Sequence, residues 1–107
     1  LATAAARAVL SEMRRLDIPT TVARAGARLM AALAETPGVA DVRGLGLLIA
    51  AQLEDGRDAK DVVGACLAEG LVVNAVTPTA LRFAPPLTVS DAEMDDAIAI
   101  LTKVLAA

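Results

Sequence analysis

Arg82 is the residue in this sequence whose type and surroundings point most directly to ligand chemistry. It lies in "ALRFAPPLTVSDAE", residues 80–93, flanked by Leu81 and Phe83 and followed by Pro85 and Pro86. A guanidinium is a planar fork of donors that matches a carboxylate with two parallel hydrogen bonds. If Leu81 and Phe83 face a core, strand alternation turns Arg82 to the other side of the sheet. An ordinary solvated arginine is the plain alternative. The prolines weigh against it. A strand that runs straight into Pro-Pro is stiff, and a stiff strand end holds the fork in one direction, as a carboxylate clamp needs.

The other reactive types fit structural roles. Cys66 falls on the apolar side of a helical pattern, without the neighbouring cation that a nucleophilic thiolate needs, and reads as a small core residue. Lys60 begins a helix and Lys103 nearly ends one, so both read as solvated rather than as a desolvated Schiff-base lysine. Asp91, Glu93, Asp95 and Asp96 crowd the start of the last helix, where acids offset the positive helix end. Gly44-Leu45-Gly46 lacks the third glycine of a dinucleotide fingerprint and precedes no helix, so it marks a tight turn or a bulge. With no histidine and a single cysteine, the chain offers no His-based triad and no zinc site. No catalytic, cofactor-binding or metal-binding residue is assigned within it.

These residues sit in 107 positions, enough for one domain. The composition is 56% hydrophobic and 21% charged, which excludes a disordered tail. Alanine supplies much of the apolar share, and one Phe is the only aromatic, so the core is expected to be thin and aliphatic. The net charge of −3, with scattered basic residues, argues against a nucleic-acid partner. No run is long enough for a membrane span. The lone cysteine fits a reducing cytoplasm. The opening at Leu1, already inside a helical pattern, predicts a piece of a longer protein.

The periodicity predicts an α+β fold in the order α-α-β-β-α-β-β-α, a small, mainly antiparallel sheet of three or four strands covered by helices. The first helix would bury Ala5, Val9, Met13 and Leu16. A second, capped by Thr20, would bury Val22, Ala25, Leu29 and Leu33. "VADVRGLGLLIAAQL" predicts two strand segments, or one strand bulged at the glycines. Asp58 would cap a third helix that buries Ala59, Val62, Val63, Cys66 and Leu67 and ends at Gly70. "LVVNAV" and "LRFA" follow as strands. Ser90 and Glu93 form a capping box for a last helix that buries Met94, Ala97, Ile98, Leu101 and Leu105.

"VRGLGLLIAAQL", "EGLVVNAV" and "LRFAPPLTVSDAEMDDAIAIL" together resemble the C-terminal end of class III aminotransferases, pyridoxal-phosphate enzymes of fold type I. "GLVVNAV" is more similar to the acetylornithine aminotransferases than to ornithine or 4-aminobutyrate aminotransferases. "LATAAARAVL" resembles the helix after that family's Gly-Asn-Pro segment, so the likeness spans the chain. The resemblance implies that Arg82 binds the carboxylate of the amino donor or of 2-oxoglutarate, and that Asn74 helps shape the site. Ala50 stands where many relatives carry glycine, and Leu45 where many carry a basic residue.

By the same resemblance, residues 1–107 form the small C-terminal domain. The large domain with its Schiff-base lysine, and hence the pyridoxal 5'-phosphate it binds, lies outside this chain. The piece alone would be inactive. The whole enzyme would be a cytoplasmic homodimer converting N-acetylornithine and 2-oxoglutarate to the semialdehyde and glutamate, in arginine biosynthesis. Ornithine, succinylornithine or 4-aminobutyrate as donor, or a free-standing module that binds a small molecule or a protein, are the alternatives.

Overall fold

The computed structural model describes all of residues 1–107. Two hairpins build the sheet. Strands β1 (Val39–Leu45) and β2 (Leu48–Leu53) are joined by Gly46 and Leu47 alone. Gly46 has φ of 58°, the positive value wanted at the first position of a two-residue hairpin loop. Gly46 therefore marks the turn itself, while Gly44 is a paired residue of β1. The bulge lies elsewhere, where the register shifts between Val39 and Asp41. Strands β3 (Asn74–Thr77) and β4 (Ala80–Phe83) turn through Pro78 and Thr79. All pairs are antiparallel, in the spatial order β1-β2-β4-β3. With four helices, this is the α-α-β-β-α-β-β-α fold that the periodicity predicts.

The helix ends follow local chemistry. In α3 (Ala59–Ala68), the Asp58 side chain accepts from the N–H groups of Lys60 and Asp61. Gly70, at φ 94°, closes the other end, with Gly70 N–H bonded to Leu67 O and Leu71 N–H to Cys66 O. That closure corrects one expectation. Leu71 is engaged in ending the helix, so "LVVNAV" becomes strand only from Asn74. In α4 (Asp91–Ala106), Ser90 and Glu93 form the full capping box. Helix α2 (Ile18–Ala34) starts at Ile18 rather than after Thr20. Pro19 falls in its first turn, where a missing N–H costs nothing, and Asp17 adopts the left-handed conformation that turns the chain from α1 (Ala2–Arg15).

One core joins the inward face of the sheet (Ile49, Ala51, Leu53, Leu81, Phe83) to Leu29 and Leu33 of α2, Cys66 of α3 and Leu101 of α4. Met94 and Leu105 are buried with them, while Ala97 and Ile98 are half-buried. Two expected faces do not close. Leu67 is 61% exposed, because it lies one residue round the helix from the Cys66 stripe. No residue of α1 is buried, and Val9 is 59% exposed. Helix α1 meets the rest of the chain chiefly through α2 and extends the molecule to 47 Å along its longest axis.

Candidate functional site

The helices cover one face of the sheet and leave the other open. Strand alternation sorts the side chains: Ile49, Ala51, Leu53, Leu81 and Phe83 point inward, while Leu48, Ala50, Gln52 and Arg82 point out. The antiparallel register then fixes the neighbours. Arg82 pairs with Asn74 on one side and Ala50 on the other, and Ala50 pairs with Arg43. Arg43, Ala50, Arg82 and Asn74 thus form one row across the open face. The two residues expected at the site, Arg82 and Asn74, lie side by side on adjacent strands.

Arg82 is exposed and makes no ion pair within the chain. Other arginines are engaged. Arg28 donates to Asp95 at 2.9 Å, and Arg24 reaches Asp91 at 3.5 Å. Arg57 donates to the carbonyl of Leu105 at 2.7 Å, at the negative end of α4. In the row itself, Arg43 lies 3.9 Å from Asp41, its neighbour two residues away on the same face. A free guanidinium on a short strand between two paired strands has a direction set by the backbone. It can take a carboxylate through both of its outward N–H groups.

The acids of α4 do more than offset the helix dipole. Asp91 and Asp95 reach across to Arg24 and Arg28 of α2, and the Arg28 guanidinium is held above its usual range by Asp95 first and Asp91 second. Glu93 is held below the usual carboxylate range, first by the Ser90 backbone N–H and then by the Ser90 side chain. Cys66 is buried, and burial pushes its thiol up. Lys103 pairs with Glu69 at 2.6 Å, and Lys60 is an exposed residue of the first turn of α3. Neither lysine is on the open face with Arg82.

A cleft of about 370 Å³ opens beside the end of β4, lined by Phe83, Pro85, Pro86, Val89 and Met94 among others. Glu93 is its one charged side chain, and that carboxylate already accepts the Ser90 N–H. The cleft is apolar and lies toward the helices, so the polar chemistry belongs to the open face. Arg43 stands in the same row without having been singled out from the sequence. The signal was present as parity: from the Gly46-Leu47 turn, counting back along β1 puts position 43 on the outer face and opposite Ala50.

The helix-backed antiparallel sheet thus carries a free arginine near the centre of its bare face. The class-III aminotransferase family matches residues 1–105, and the chain belongs to that family. It is 43% identical over 103 residues to the acetylornithine aminotransferase of Corynebacterium efficiens, covering 96% of this chain and 25% of that protein. It is 37% identical over 102 residues to the Haemophilus ducreyi acetylornithine aminotransferase, again covering 95% of the chain and 25% of the relative. The solved acetylornithine aminotransferase of Elizabethkingia anophelis superposes with a TM-score of 0.84 at 26% identity, over 94% of this chain and 28% of that one. The chain spans about a quarter of the length of the curated relatives it matches.

Proposed function

We propose that residues 1–107 are the C-terminal small domain of a pyridoxal-phosphate-dependent aminotransferase, and that Arg82 holds a substrate carboxylate. The observation that carries the reading is the row on the open face. Arg82 is free of partners, stands next to Asn74, and is fixed between strands β2 and β3. The names of the matched acetylornithine aminotransferases support N-acetylornithine as amino donor; on this reading the acceptor is 2-oxoglutarate and the whole enzyme a cytoplasmic homodimer of arginine biosynthesis.

The residues of this chain do not fit the cofactor. Lys103 is tied to Glu69, and Lys60 belongs to a helix on the opposite face from Arg82. The pyridoxal phosphate would therefore be held by residues outside this chain, and residues 1–107 alone are inactive. What this domain contributes is binding and orientation. Arg82 fixes the carboxylate end of the substrate, and Asn74 offers an amide beside it for a second polar contact.

The test is Arg82→Ala in the complete enzyme. Loss of a two-pronged, charge-assisted contact costs about 2–4 kcal/mol, which lowers kcat/KM for 2-oxoglutarate by about 30-fold to 1000-fold. Arg82→Lys keeps the charge but not the fork and falls between the two. Kinetic constants unchanged in Arg82→Ala would remove the assignment.

A further inference from the structure

The place of Arg82 on the open face depends on the pairing of β2 with β4, and that pairing is short: Ile49–Gln52 against Ala80–Phe83. The core fixes only its parity. A one-residue slip would turn Leu81 and Phe83 out of the core and Arg82 into it. A two-residue slip keeps every side chain on its own face, yet carries Arg82 roughly 7 Å along β2. Arg82 would then stand opposite Leu48 or Gln52 instead of Ala50. Strand β3 gives little support from the other side. It is a short edge strand whose own register shifts between Ala75 and Thr77.

What selects the observed register lies at the β3–β4 turn. The Thr79 carbonyl accepts from the Leu53 N–H at 2.8 Å and from the Gln52 side-chain amide at 3.1 Å. The neighbouring Pro78 carbonyl accepts from the Ala59 N–H at 2.8 Å. Two donors from the end of β2 thus converge on one oxygen of the turn, and a carbonyl oxygen has two lone pairs to offer them. Gln52 makes its contact from the outer face, the face of Arg82, and its main chain stands in the last pair of the ladder, opposite Ala80. A slip in either direction takes the turn carbonyl away from both donors.

Resting on the reading of Arg82 as a carboxylate clamp, we infer that Gln52 is a positioning residue for that clamp: its amide pins the β3–β4 turn to β2 and so holds the Arg82 guanidinium in line with Ala50. Gln52 acts through the backbone, since its partner is the Thr79 carbonyl and Arg82 lies three residues further along the same hairpin. It is the one tie between the turn and β2 that a side chain makes, so a substitution removes it and leaves the main-chain bonds in place. The fork is then still present but less well aimed. A carboxylate is held less tightly, while turnover of the bound substrate is kept, because a small misplacement of a positioning group weakens binding first.

The experiment measures KM and kcat for 2-oxoglutarate in the complete enzyme, at saturating N-acetylornithine, for the parent, Gln52→Met, Gln52→Lys, Arg82→Ala and the double variant Gln52→Met/Arg82→Ala. Methionine keeps the length of the side chain and loses the donor, whereas lysine keeps a donor. KM is independent of how much of a variant is folded. Gln52→Met is expected to raise it by about threefold to tenfold, with kcat within about twofold of the parent, and Gln52→Lys to recover most of the change. In the Arg82→Ala background the same substitution is expected to leave KM where it is, because its effect passes through Arg82. An unchanged KM in Gln52→Met, or an equal rise with and without Arg82, overturns the role of Gln52; impairment of Arg82→Ala in the same series leaves the clamp standing. Parent kinetics in Arg82→Ala overturn the clamp and the inference with it.

Discussion

Gly26 of α2 rests directly on the carbonyl of Gly46: a Cβ added at position 26 would lie 2.1 Å from that oxygen. The helix therefore sits on the turn of the β1–β2 hairpin with no room for a methyl group. The same hairpin includes β2, which carries Ala50 beside Arg82. The obstacle is backbone on both sides, so it cannot rotate away. Gly26→Ala is expected to destabilise the protein by about 1–3 kcal/mol or more, as overpacking does. Gly64, in the interior of α3, meets nothing within 4 Å. Gly64→Ala is expected to stabilise by about 0.5–1 kcal/mol, because only the helix-propensity effect remains. Urea midpoints of the two variants, measured together, should move in opposite directions.

The cap of α4 makes stability depend on pH with a defined sign. Ser90 N–H donates to Glu93 Oε1 at 3.0 Å, and Glu93 N–H donates to Ser90 Oγ at 3.1 Å. These bonds lower the carboxyl's folded pKa below its unfolded value. The contribution is therefore complete above the unfolded value of about 4.3 and fades as pH falls through the folded one. The stability difference between the parent and Glu93→Gln should shrink as the pH falls below the ordinary glutamate range of about 4.3. Ser90→Ala should cost about 1 kcal/mol at neutral pH by loss of the cap. A parent–Gln difference that grows toward low pH would contradict the assigned bond.

The parts legible in the sequence were those fixed by neighbours along the chain. Asp58, Gly70 and the Ser90–Glu93 box use contacts within a few residues, and each forms as its spacing predicts. The site was half legible. Alternation along β4 was enough to turn Arg82 outward, and likeness to relatives pointed to Asn74. The adjacency of Arg82 and Asn74 is set within the β3–β4 hairpin and that of Arg43 and Ala50 within the β1–β2 hairpin, but the row as a whole depends on the β2–β4 pairing, whose strands lie far apart in sequence. The hairpin registers follow from the turns at Gly46-Leu47 and Pro78-Thr79 and from the shift between Ala75 and Thr77, while the β2–β4 pairing has no local signature. The amphipathic pattern of α1 was read correctly as a helix. Its apolar stripe nevertheless stays exposed, because periodicity shows which residues share a face and not whether anything covers that face.

The contact between α2 and α4 includes an ionic patch whose strength should follow salt. Arg28 bridges Asp91 at 3.7 Å and Asp95 at 2.9 Å, and Arg24 reaches Asp91. All of these side chains are at least 42% exposed, so counterions reach them freely. A double-mutant cycle of Arg28→Ala and Asp95→Ala should give a small coupling in dilute buffer that disappears toward about 1 M salt, where the Debye length is about 3 Å. A coupling insensitive to salt would mean that the pair is held in a drier place than its exposure indicates.

Cys66 tests whether the core behaves as one unit. Its side chain is fully buried among the residues that join α3 to the sheet and to α4, and burial raises its thiol pKa. Both effects oppose reaction, since only an accessible thiolate attacks a disulfide reagent. In native conditions the thiol should react far more slowly than in urea, at a rate that tracks opening of the fold. Leu101→Ala, which empties a fully buried position in the same cluster, should cost about 2–5 kcal/mol. It should speed Cys66 labelling in proportion to that loss if α3, α4 and the sheet open together. Labelling that stays slow while Leu101→Ala lowers the urea midpoint would show that α3 holds on to the sheet after α4 has let go. The row carrying Arg82 would then be supported by two independent layers of packing rather than one.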